Sequence, residues 1–118
     1  MLLVDAANVV GSRPDGWWRD RPGAAARLVR DLEALPVSEL APAAVVVVLE
    51  GAARPGVAEG AYGRVRVRHA AGSGDDLLAE LCGAGVVLVT ADRELAGRAR
   101  ERGAQVVGPR TLLAALDG

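Results

Sequence analysis

The chain of 118 residues has no lysine, no isoleucine and no phenylalanine, one cysteine and one histidine. One cysteine excludes a disulfide framework, and Cys82, in an apolar stretch, reads as a small buried hydrophobe. One cysteine and one histidine also exclude a Cys/His zinc cluster. No apolar run approaches the roughly 20 residues of a membrane helix. The opening run Leu2-Leu3-Val4 is too short for a secretory signal and lacks a basic start. The expectation is a cytoplasmic domain with no membrane partner. A length of 118 residues suits one domain, 1–118, large enough to bury a core without staples. A net charge of −1 excludes a generally basic nucleic-acid coat. It conceals a local imbalance, because residues 11–30 carry five Arg against two Asp. Abundant Ala, Gly, Val and Arg with no Lys reads as GC-rich coding bias and supports no functional conclusion.

What is present alternates in type. Leu2-Leu3-Val4, Ala43–Leu49 and Val86–Val89 are continuously apolar, as strands covered on both faces should be. Arg64–His69 (R-V-R-V-R-H) alternates strictly, and Gln105-Val106-Val107 is short. Helices fall between them. One is capped by Asp20, with Leu28, Leu32 and Leu35 at helical spacing and Pro36 as its stop. Others start at Ser73, at Asp92 and at Gly108-Pro109. Glu50–Gly63 holds at most a short helix near Val57–Ala61. This pattern predicts a three-layer α/β/α (Rossmann-like) fold with a five-stranded parallel sheet in the order 3-2-1-4-5. The R-V-R-V-R and Q-V-V strands are its expected edges. Ligands in such sheets bind at the carboxyl ends of strands beside the topological switch, here between strands one and four.

Carboxylates recur at those ends. Strand one ends in Asp5 and strand two in Glu50; strand three leads to Asp75-Asp76 at a helix start, and strand four ends in Thr90-Ala91-Asp92. Clustered carboxylates repel unless a proton or a hard cation neutralises them. Oxygen donors suit Mg²⁺ or Mn²⁺, so Asp5, Glu50, Asp75, Asp76 and Asp92 are candidate ligands. Such an ion can orient water and stabilise charge on a phosphoryl oxygen. Asp76, Asp92 and Asp75 also have plain uses as helix caps or dipole partners, and Glu50 is the weakest candidate. Asp5 has less to gain structurally after an apolar strand. Asn8 is placed to orient Asp5 or to hold a phosphate; Ser73 and Thr90 are helix-start hydroxyls near the same rim. His69, at a strand end, is a conceivable base, though a lone histidine more often packs.

L-L-V-D-A-A-N, G-S-G-D-D-L-L and V-L-V-T-A-D-R-E-L, in this order, resemble the three acidic motifs of NYN-domain proteins among the PIN-like nucleases, and the small bacterial YacP-type branch in particular. The resemblance spans essentially the whole chain. It implies a metal-dependent ribonuclease in which Asp5, Asp75 and Asp92 are metal ligands, Asp76 is a neighbour and Asn8 is the motif asparagine. Ala6 stands where a glycine is common in the first motif.

Residues 11–21 (G-S-R-P-D-G-W-W-R-D-R) read as a loop overhanging the rim. Arg binds phosphate bidentately and Trp stacks unpaired bases, so Arg13, Arg19, Trp17 and Trp18, with Arg93 beside Asp92, are candidate contacts to single-stranded RNA. One Trp is expected to be structural. The leading reading is an endoribonuclease using Mg²⁺ or Mn²⁺. The rivals are a nucleoside triphosphate pyrophosphohydrolase, without a Gly-rich phosphate loop, and a non-catalytic RNA- or partner-binding domain. A half-covered edge strand and exposed Trp also suit a homodimer.

Overall fold

The continuous β-branched runs form the middle of one sheet, because only a strand covered on both faces buries every side chain. The structure, a computed structural model, describes residues 1–38 and 42–117. Its strands are β1 (Leu2–Asp5), β2 (Val45–Leu49), β3 (Gly60–Tyr62), β4 (Val65–His69), β5 (Val87–Val89) and β6 (Gln105–Val107). Their order is β3-β4-β2-β1-β5-β6, parallel throughout except that β3 runs antiparallel to β4. The helices are α1 (Ala6–Gly11), α2 (Arg21–Ala34), α3 (Gly74–Leu81), α4 (Arg93–Glu101) and α5 (Pro109–Asp117). None is long and apolar enough among the described residues to cross a membrane.

The expected five-strand order is present as β4-β2-β1-β5-β6, and two expectations are corrected. The sheet has a sixth strand, and the R-V-R-V-R strand is therefore not an edge. Gly63, at φ 60°, adopts a conformation that side-chain-bearing residues avoid and turns the chain between the paired Tyr62 and Val65. A three-residue strand that begins at Gly60 and is followed by Gly63 carries too little periodicity to announce itself. The link from Glu50 also differs: its short helix is a 3-10 turn at Gly51–Gly56, earlier than the Val57–Ala61 expected.

Successive strand side chains point to opposite faces, which makes two cores. Leu2, Val4, Val47, Leu49 and Val67 pack with Val9 of α1, Leu28 and Leu32 of α2 and Leu112 of α5. Leu3, Val48 and Leu88 pack with Leu78 of α3 and Leu95 and Ala99 of α4. Each fully buried leucine contributes about 1.5–3 kcal/mol. Cys82 lies in the second core, where burial pushes its thiol up. Asp20 caps α2 by accepting from the Gly23 N–H at 2.9 Å. At Gly56, a Cβ would stand 2.1 Å from the Pro22 carbonyl oxygen, so the 3-10 turn rests directly on the first turn of α2.

Candidate active site

The chain reverses direction across the sheet between β1 and β5. The side chains there form one hydrogen-bonded seam. Asp5 is 4% exposed and ends β1, where its carboxylate also caps α1. Its Oδ2 accepts from Asn8 Nδ2 at 2.7 Å and from the Thr90 hydroxyl at 2.8 Å. The Thr90 oxygen in turn accepts from the Asp92 N–H at 3.1 Å, and Asn8 Oδ1 accepts from the Ala91 N–H at 3.3 Å. The ends of β1 and β5 are thus tied through Asn8 and Thr90. Burial pushes the Asp5 carboxyl above its ordinary value; the bonds from Thr90 and Asn8 oppose the rise, and the Asp75 charge adds to it.

Asp75 enters from the first turn of α3. Partial burial raises its carboxyl, and the charges of Asp92, Glu50 and Asp76 raise it further, against Arg98. Asp75 therefore feels the charges of Asp92, Glu50 and Asp76, and Asp5 feels that of Asp75. Asp92 caps α4 through the Leu95 N–H at 2.9 Å, and Ser73 caps α3 through the Asp75 N–H at 3.3 Å. Glu50 Oε2 accepts from the Gly74 N–H, which binds the end of β2 to the start of α3.

Among the described residues, no three His, Cys, Asp or Glu side chains stand close enough to form a ready-made metal cage. The donor chemistry nevertheless fits a hard, partly hydrated cation. The group is all carboxylate, its charges add to the burial that raises Asp75, and Mg²⁺ commonly keeps several waters while contacting one or two carboxylates.

Other candidates lie elsewhere. Arg13 is not a free phosphate contact: its buried guanidinium is committed to Asp31 at 3.0 Å and Asp117 at 2.9 Å, joining α1, α2 and α5. Two residues past the end of α1, it meets the carboxylates of α2 and α5. Asp76 is exposed and pairs with Arg98 of α4 at 3.0 Å. His69 Nε2 donates to the Val57 carbonyl at 2.7 Å, and its N–H to Glu59, which pins the chain before β3. Residues 11–21 are only partly a loop, since Trp17–Arg19 forms a 3-10 turn. Trp17 is half-buried and Trp18 is 56% exposed; the rings meet edge to face at 5.9 Å. Arg19 lies over the Trp18 ring and Arg21 over the Trp17 ring.

Two concavities flank the acids. On the β6 side, an open groove holds Thr90, Asp92, Arg93 and Arg100. Arg100 escaped the sequence reading because it joins this groove only through the packing of α4 beside β6. On the β2 side is a cavity of about 320 Å³ lined by Trp17, Arg21, Glu50 and the small residues of α1 and the 3-10 turn.

A mostly parallel sheet with helices on both faces and acids at its strand ends is similar to the PIN-like α/β architecture. Among solved structures, the crystal structure of Rae1 (YacP) from Bacillus subtilis superposes with a TM-score of 0.70 at 20% identity, over 98% of this chain and 74% of that one. That likeness shows the fold. No family model and no curated protein matches the chain.

Proposed function

We propose that this protein is an endoribonuclease that uses Mg²⁺ or Mn²⁺ to hydrolyse phosphodiester bonds of single-stranded RNA. The observation that carries the reading is Asp5, buried at the end of β1 beside the switch point and held by Asn8 and Thr90, with Asp75 and Asp92 at the starts of α3 and α4 on the same rim. Its likeness in fold to YacP, the branch that its motifs resemble, supports the same reading. Asp5, Asp75 and Asp92 would hold the ion, which supplies an activated water and charge stabilisation at the phosphoryl oxygens when bound.

The protein's own part is positional. Asn8 and Thr90 present Asp5 in one orientation, leaving Oδ1 with only the long 3.5 Å bond from the Asn8 N–H. Arg93 and Arg100 form no ion pair among the described residues and face the groove beside Asp92, where a phosphate backbone would find them. The test is incubation of single-stranded RNA with Mn²⁺ and either wild type or Asp5→Asn. Wild type should release internal cleavage products and the variant should not. Equal products from both, or none from either, would overturn the reading.

A further inference from the structure

The cavity on the β2 side of the acids is not explained by metal binding. It has an aromatic wall, since Trp17 lines it with the Arg21 guanidinium 5.1 Å from the ring centroid. Its floor and far side are small residues: alanines of α1 and α2, then Gly51 and Ala52 of the 3-10 turn. That turn is held close by the approach at Gly56, where no Cβ fits against Pro22. Glu50 closes the end nearest the acidic group and has Oε2 committed to Gly74, with Oε1 left over. At about 320 Å³ the cavity is at the small end of ligand sites, suited to one flat ring system.

We propose that this cavity is a nucleobase subsite that takes an unpaired guanine from the nucleotide beside the phosphate cleaved at the acids. The inference rests on the ribonuclease reading and adds the specificity element to it. A base is the occupant because the wall is an indole backed by a guanidinium, the pairing that stacks single-stranded bases. Guanine is favoured because the polar side chain closing the cavity is a carboxylate with one oxygen left over. The N1–H and N2–H₂ of guanine donate to Glu50 Oε1. No other natural base offers two adjacent donors on one edge. Trp17, rather than Trp18, is then the stacking residue.

The test uses the full chain in two assays. In the first, an RNA with a randomised single-stranded stretch is cut in Mn²⁺ and the ends are sequenced. Guanine should be enriched about tenfold at one fixed offset from the cut. Ala52→Leu, which fills the cavity from an exposed position, should erase that enrichment and raise KM about tenfold. Its melting temperature should stay near wild type. In the second, Trp fluorescence follows binding of a guanine-containing tetranucleotide and of tetrauridylate in EDTA, where no cleavage occurs. The guanine oligonucleotide should bind about tenfold more tightly to wild type and without preference to Ala52→Leu.

RNA cut without base preference, with Ala52→Leu cutting as wild type does, would overturn the subsite and leave the nuclease reading standing. Guanine-selective binding with no cleavage under any divalent ion would do the reverse. Enrichment of another base would overturn the guanine assignment.

Discussion

The two flanks of Asp5 are built on opposite principles. Toward β5, Asp5, Asn8, Thr90 and the backbone of Ala91 and Asp92 satisfy one another through hydrogen bonds of 2.7–3.3 Å. Toward β2, the wall is made of small residues and stacked side chains that leave an open cavity. The first flank holds a charge in place in a poorly solvated position, which needs donors already aimed. The second leaves room, which needs alanine and glycine. A ribonuclease site of the kind proposed, which must both fix an acid and admit a flexible polyanion, needs both kinds of wall.

The largest effect expected from breaking this contrast is at its centre. Asp5→Asn should lower RNA cleavage about a thousandfold, the scale of several kcal/mol of metal-assisted stabilisation. Cleavage rates with matched melting curves check it. Next is the rigid flank. Thr90→Val removes the donor to Asp5 and should cost about 10- to 100-fold, as loss of a ligand's supporting partner does. That hydrogen bond holds the Asp5 carboxyl down, so its loss raises the carboxyl further. The acid limb of the pH–rate profile should move to higher pH, and Thr90→Ser should restore it. An unmoved limb would mean that Thr90 only packs.

Smaller effects separate structure from site. Arg13→Ala should cost about 1–2 kcal/mol of stability, because both carboxylate partners are partly exposed and screened. Cleavage per folded molecule should be unchanged, and a selective rise in KM for RNA would restore Arg13 as a substrate contact. The mildest effect on stability is expected from Asp75→Asn. The folded-state carboxyl of Asp75 is raised above its unfolded value of 3.8. A raised carboxyl contributes stability that is present below the unfolded value and lost as pH rises through the folded one. Without divalent ion, the variant should therefore melt slightly above wild type at pH 7, and the difference should vanish or reverse below pH about 4. Added Mn²⁺ should raise the melting temperature of wild type and not of the variant.

Much of this architecture was legible in the chain because its cues are local. Val45–Leu49 is unbroken and β-branched, Asp20 precedes Pro22 at a helix start, and acids follow strand after strand. The missed elements have cues too short to read. Helix α1 occupies six residues directly after β1, and its cap is Asp5 itself, a residue already assigned another task. A first-turn cap followed by Ala6 and Val9 on one face was the available signal. Strand β3 is visible only through its pairing with β4.

The sequence alone determined the alternation of strands and helices, the parallel order around β1 and the return of acids to one rim. Those follow from hydrophobic period and from the single direction of parallel strands. Tertiary structure alone decided what each polar side chain does. Arg13 and Arg93 are the same residue type near the same motifs, yet one is enclosed by Asp31 and Asp117 and the other faces a groove. Asp75 and Asp76 are adjacent, yet one joins the acids and the other pairs with Arg98. The reason is range: period is set by neighbours in the chain, whereas a charge answers to whatever packing brings within a few ångströms.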